Sequence, residues 1–167
     1  MLHYFTALVL ILSVLPHDAH AISTDPASTP LVDPAPCVAA AAADDDDKII
    51  AVCGALIDNE KTLRTDRIKA LVARGSAYGR KDQVDRAIAD DDAALGLDPT
   101  LADTFNARGE LWRKKGDRPR ALADFGAAIR LNPRLEAARA NYKALALELE
   151  RIGAQMAIKN KASPPLK

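Results

Sequence analysis

Two consecutive stretches decide the fold: ALVARGSAYGRKDQVDRAIADDDAALGLDP (Ala70–Pro99) and TFNARGELWRKKGDRPRALADFGAAIRLNP (Thr104–Pro133). Aligning Ile68–Leu101 with Ala102–Leu135 needs no gap and gives 13 identical positions out of 34. Self-similarity at such a period marks a stack of small supersecondary units. Both units carry Ala-Arg-Gly, an aromatic three residues on, then Arg-Ala, Ala-Ala and a closing Pro. Each feature has a task in a pair of antiparallel helices. Gly75 and Gly109 fall inside the first helix, where Gly costs about 1 kcal/mol relative to Ala, so they mark a close helix approach. Ala87 and Ala121 are the small residues opposite, and Ala94 and Ala128 lie seven residues on, on the same helical face. Leu71 with Tyr78, and Phe105 with Trp112, supply bulk around the contacts. Lys81-Asp82 and Gly116-Asp117 make the turns. Pro99 and Pro133 end the second helices.

This pattern resembles the tetratricopeptide repeat (TPR) family. The residues carrying the resemblance are Gly75, Tyr78, Ala87, Ala94 and Pro99, then Gly109, Trp112, Ala121, Phe125, Ala128 and Pro133. The resemblance implies an all-α fold, a right-handed stack of antiparallel helix pairs. One departure stands out: Asp91 occupies the place of the core aromatic Phe125, which predicts a looser core or a face open to solvent there.

Two repeats leave unsatisfied apolar faces, so flanking units are expected. Downstream, Leu135, Ala138, Tyr142, Leu145, Leu149 and Ile152 follow a helical period, which predicts a long C-terminal capping helix, with Gly153 fraying or bending its end. Upstream, KIIAVCGALI (Lys48–Ile57) aligns on RAIADDDAAL (Arg86–Leu95) and RALADFGAAI (Arg120–Ile129). Lys48–Asn59 is therefore the second helix of a degenerate first repeat. Cys53 takes the core place of Phe125, and the connection to the next helix is four residues longer than the later one. Ala39–Ala43 is a candidate short helix. The resulting division is a signal segment 1–21, a Pro-rich linker 22–36, a degenerate half-repeat 37–67, repeats 68–101 and 102–135, a capping helix 136–160 and a tail 161–167.

The N-terminus reads as an address. Tyr4–Leu15 is apolar apart from Thr6 and Ser13, too short for a membrane span of about 20 residues but suited to the apolar part of a secretory signal. Ala19-His20-Ala21 supplies a small-x-small cleavage site, with the cut expected after Ala21. No Lys or Arg precedes the run, and a buried helix or an uncleaved anchor is the alternative. A periplasmic or secreted protein follows from the signal, and the resemblance implies a bacterial envelope. Pro26, Pro30, Pro34 and Pro36 predict an extended tether beyond it.

Cys37 and Cys53 are the only cysteines. An even pair in an exported chain favours a disulfide, against two buried thiols. A bridged loop of that length contributes about 3 kcal/mol in the chain-entropy model. The run Asp44–Asp47 reads as a helix N-terminus, where carboxylates cap free N–H groups and meet the positive end of the dipole. A weak cation site and a processing-protease sequence are the other readings.

Lys and Arg number 23 and Asp and Glu 23, giving zero net charge. The absence of a basic excess argues against nucleic acid as a partner, and no second long apolar stretch predicts membrane insertion. All three histidines, His3, His17 and His20, lie in the signal segment, so the processed chain lacks the usual general base and metal imidazole. No nucleophile elbow or phosphate-cradling loop is present. Asp90-Asp91-Asp92 diverge around a helix and read as a solvated face plus one misplaced core position. We expect no enzyme activity and no cofactor; a carboxylate-dependent hydrolase is the remote alternative.

In the TPR family, first helices line a concave groove that takes an extended peptide or a helix. The resemblance places Lys69, Val72, Ser76 and Arg80 in that groove, then Asp103, Asn106, Glu110, Arg113 and Lys114, with Asn141 extending the row. A family branch grips a terminal carboxylate with a Lys/Asn/Arg set; here Val72 and Ser76 replace the leading Lys and Asn, and that function is not carried over. The expectation is a non-catalytic scaffold binding a protein or peptide, with self-assembly into a homo-oligomer as the alternative.

Overall fold

Three residues with positive φ set the frame: Asp44 (50°), Asp82 (61°) and Gly116 (87°). Each closes a helical hairpin in the computed structural model, which describes residues 32–162. The hairpins are α1 (Ala35–Ala42) with α2 (Asp46–Asp58), α3 (Arg64–Arg80) with α4 (Val84–Leu97), and α5 (Ala102–Lys114) with α6 (Arg118–Leu131). A long α7 (Glu136–Ala162) follows. Left-handed backbone suits Gly and, less well, Asp. The chain therefore makes the same turn with Asp twice and Gly once. Among the described residues all regular structure is helical, as the repeat pattern requires.

The acidic run is accounted for one residue at a time. Asp44 makes the turn. Asp45 is the N-cap of α2, accepting a hydrogen bond from the Lys48 N–H at 3.1 Å, and Asp117 does the same for α6 from Arg120 at 3.0 Å. Asp46 and Asp47 sit in the first turn of α2 and pair with Arg80 (2.5 Å) and Lys81 (2.8 Å) at the end of α3. Opposite helix ends thus meet with complementary charge. The arrangement recurs one hairpin later, where Lys114 and Lys115 pair with Asp82 and Asp85.

The upstream unit is a full hairpin with a truncated first helix. Helix α1 begins at Ala35, inside the expected linker, because Pro36 falls at the helix start, where a missing N–H is harmless. The four extra residues between the first two repeats do not lengthen a loop. They add a turn to α3, which has 17 residues against 13 in α5. Thr62 ties the connection by donating to the Leu56 carbonyl at 2.6 Å. Helix α7 continues past Gly153 to Ala162 rather than ending there. The expected signal segment, most of the linker and the end of the tail lie outside the described residues.

The core divides in two. Cys37, Ala40, Ile49, Cys53, Leu56, Ala70 and Ala77 form one apolar cluster. Phe125, Ala121 and Leu145 form the other, with Trp112, Leu122 and Leu149 against them. Leu145 brings α7 onto the last hairpin as its cap. Helices α3 to α6 also bury charge: Asp90, Asp91 and Asp124 are all buried.

Candidate functional site: a groove between the first helices

A single helix crossing is built three ways along the stack, each time from residues 16 apart. In the last hairpin Phe125 lies against Gly109. A β-carbon added there would sit 2.6 Å from the ring, so only Gly permits the contact. In the first hairpin Cys37 and Cys53 are joined by a disulfide at the corresponding place. In the middle hairpin Asp91 lies against Gly75, with its Oδ1 3.2 Å from where a β-carbon would be. Both glycines and the cysteine pair thus mark a close approach within their hairpins.

Beside each Gly crossing stands an ion pair that repeats with the unit. Arg74 Nε and Nη2 donate to both oxygens of Asp90 at 2.8 Å. Arg108 Nε and Nη2 donate to both oxygens of Asp124 at 2.8 and 2.7 Å, and its Nη1 reaches back to Asp92 at 2.6 Å. Fork-to-fork pairing of this kind is strong and directional. The Asp90 bond raises the Arg74 pKa, and the Asp124 bond raises that of Arg108. The expectation of a solvated acidic face on α4 is therefore corrected for Asp90, which is buried on Arg74, while Asp92 stays exposed and takes a bond from Arg108. The signal was present in the sequence as Arg74/Arg108 and Asp90/Asp124, identical in both units and always 16 apart.

Asp91 is 3% exposed, which corrects the expectation of a face open to solvent. The looser core is real, because a carboxylate leaves unfilled the volume that a phenyl ring takes in the next unit. Among the described residues no hydrogen bond reaches its oxygens. Burial pushes its pKa up to about 7; Arg108 opposes the shift, and Asp90, Asp92 and Asp124 add to it.

Asp91 borders a cavity of about 380 Å³ between α3 and α5, together with Gly75, Ser76, Gly79, Glu110 and Leu111. Arg80, Ala107 and Lys114 complete the lining. A second cavity of about 370 Å³ continues the furrow, with Lys69, Val72 and Asp103 beside Ile68, Leu101 and Thr104. Seven of the expected groove residues thus line one furrow: Lys69, Val72, Ser76, Arg80, Asp103, Glu110 and Lys114. Asn106 and Asn141 join it through Glu110. Asn141 Nδ2 donates to Glu110 Oε1 (2.7 Å) and Asn106 Oδ1 (3.0 Å), and Asn106 Nδ2 donates to Glu110 Oε1 (3.1 Å). Arg113 borders neither cavity and faces Glu148 of α7 at 3.6 Å. Glu148 also accepts from Arg118 at 2.8 Å, and that bond lowers its pKa. Among the described residues no three His, Cys, Asp or Glu side chains gather as metal ligands, and no helix is long and apolar enough to cross a membrane.

No protein-family model and no curated protein matches the chain. Solved structures do. The first TPR of Spaghetti (RPAP3), bound to the HSP90 peptide SRMEEVD, is 17% identical, covers 72% of this chain and 98% of its own, and gives a TM-score of 0.61. The Arabidopsis OM64 TPR domain is 20% identical over 68% of this chain and 91% of its own, with a TM-score of 0.56. The Sgt2 TPR domain of Aspergillus fumigatus is 18% identical over 78% and 82%, with a TM-score of 0.57. The capped stack of helical hairpins described above has the fold of a tetratricopeptide-repeat domain.

Proposed function

We propose that the chain is a non-catalytic interaction module that binds an extended peptide or a helix of another protein in the furrow between α3 and α5, closed at one end by α7. The observation that carries this reading is the pair of adjoining cavities along the furrow, which gather polar, charged and small side chains from two successive first helices. A similarly folded domain holds a peptide, SRMEEVD. That peptide is not the ligand proposed here, because Val72 and Ser76 stand where the carboxylate-gripping branch has Lys and Asn. The apolar run at Tyr4–Leu15, the Ala-His-Ala site and the Cys37–Cys53 bond support export, and we place the working protein in a bacterial periplasm.

The test uses a photo-crosslinking residue at Ser76 or Asp103, both exposed in the furrow, and at Ala93 on the opposite face of the hairpin. A partner crosslinked from the host envelope at Ser76 and Asp103, and not at Ala93, is the expected result. Equal capture at all three positions rejects the furrow. Charge reversal of Arg80, Arg113 or Lys114 is a poor substitute, since each is bound to an acid of a neighbouring helix or turn.

A second reading, self-assembly, draws on another observation. Leu147, Met156 and Ile158 of α7 are exposed. Light scattering of the mature protein tests it, and a monomer at high concentration rejects it.

A further inference from the structure

The furrow has in its floor a carboxylate that makes no salt bridge among the described residues. Asp91 is buried and borders the cavity, yet no donor among the described residues reaches it. Its two neighbouring guanidiniums are committed elsewhere. Arg74 gives Nε and Nη2 to Asp90, and Arg108 uses Nε, Nη1 and Nη2 on Asp124 and Asp92. A buried carboxylate with no hydrogen bond, and with only the field of an Arg108 already bound to other acids, is costly. Its oxygens are not sealed in the core but open to the cavity, so a ligand there can reach and complete them.

The lining of the cavity supports the same conclusion. Gly75 and Gly79 reduce the side chains on the α3 wall to those of Ser76 and Arg80; at the position matching Gly79 the next unit has Arg113. Glu110 stands on the rim with Oε1 held by the neutral amides of Asn106 and Asn141 and, among the described residues, with no cation paired to it. The rim cations Arg80 and Lys114 are neutralised from outside the cavity, by Asp46 and Asp82. Among the described residues, Asp91 beneath the cavity and Glu110 on its rim thus make no salt bridge, whereas the lining cations Arg80 and Lys114 are paired with Asp46 and Asp82. The volume, about 380 Å³, falls within the roughly 300–1,000 Å³ typical of ligand cavities.

We propose that this cavity is the specificity pocket of the furrow and takes a lysine or arginine side chain of the bound peptide, with Asp91 as the counter-ion and Glu110 as the second acceptor at the rim. The inference rests on the furrow being the peptide site and adds the chemistry of one ligand side chain. An inserted ammonium or guanidinium exchanges an unpaired buried carboxylate for a charge-assisted hydrogen bond, which is about twice as strong as a neutral one. The pocket exists because residue 91 is not aromatic: the matching space in the next unit is filled by Phe125, which is fully buried.

The test selects random peptides displayed on phage against the full processed chain and measures binding of the tightest one by calorimetry. The expected selection carries a fixed Lys or Arg. Changing that residue to norleucine, or the protein by Asp91→Asn, weakens binding roughly tenfold to a hundredfold, the range of a charge-assisted bond. The two changes together cost little more than either alone. Asp91→Asn keeps the side-chain volume, and the norleucine peptide leaves the protein untouched, so a folding defect cannot mimic the result. Selected peptides without a basic residue, or with an acidic one, that bind Asp91→Asn normally but lose binding to Ser76→Trp, overturn the cationic pocket and leave the furrow standing. No selected peptide, or peptides indifferent to Ser76→Trp, overturn both.

Discussion

The middle and last hairpins share a left-handed turn, a second helix of 14 residues, a glycine at the crossing and a bidentate Arg–Asp pair, yet differ in what lies under the glycine. Beneath Gly109 a phenyl ring fills the space so tightly that a β-carbon would collide with it. Beneath Gly75 a smaller carboxylate lies 3.2 Å from where a β-carbon would be, and a cavity reaches it from the furrow. The last hairpin is built as a core, and the middle one gives up packing for a polar floor. The first hairpin offers a third solution: its first helix has only 8 residues, and the Cys37–Cys53 bond holds the crossing covalently. One crossing can thus be closed by packing, by a covalent bond, or left incomplete, and the incomplete one lies beneath the proposed pocket.

The largest expected effect separates the two glycine crossings. Phe125→Ala removes a fully buried ring and is expected to cost about 3–5 kcal/mol of unfolding free energy. Asp91→Ala at the matching position is expected to leave stability unchanged or raise it near pH 8, because it removes an unpaired buried charge. Denaturant titration of both variants measures the difference, and equal losses would break the comparison.

A next, smaller effect is in pH. The folded state holds the Asp91 proton with a pKa of about 7, against 3.8 for the ordinary side chain. Between those values the folded state binds more protons than the unfolded state, so this group's contribution falls as pH rises through the interval. Raising the pH from 5 to 8 is expected to remove about 3 kcal/mol, and Asp91→Asn is expected to flatten that part of the profile. An unchanged slope in Asp91→Asn assigns the titration to another group.

The glycines give the smallest effect. Gly109→Ala forces the Phe125 ring to move and is expected to cost about 1–3 kcal/mol by overpacking, partly offset by better helix propensity. Gly75→Ala meets its nearest atoms at 3.2–3.4 Å and is expected to be close to neutral. Thermal melts of the pair sharpen the comparison, and a larger loss at Gly75 would reverse it.

Much of this was legible in the sequence, for physical reasons that also explain the rest. The repeat, its turns and its cap follow from small and apolar residues at helical spacing, and such patterns are local. The disulfide was expected from an even cysteine count in a chain whose N-terminus reads as a secretory signal. The match between Cys37 and Gly75 was hidden, because Cys, Gly, Asp and Phe share no chemistry although they build the same crossing. The Arg74–Asp90 and Arg108–Asp124 pairs were overlooked because charged identities on a helix read as surface, whereas each pair satisfies itself in a partly buried setting. For the furrow, the family pattern placed residues on the correct helices. It could not reveal that Arg80, Arg113 and Lys114 are bound to acids of neighbouring elements, since those contacts are about 32 to 35 residues distant in sequence.

The claim that the middle crossing is kept open at a cost in stability is tested most directly by Asp91→Phe, which copies the last hairpin into the middle one. Equilibrium unfolding near pH 8 is expected to show a variant more stable than the parent, with the ring seated on Gly75 as Phe125 sits on Gly109. A variant less stable than the parent at that pH would contradict the account, because it would mean that the carboxylate, and not an aromatic ring, is what this crossing is built to hold.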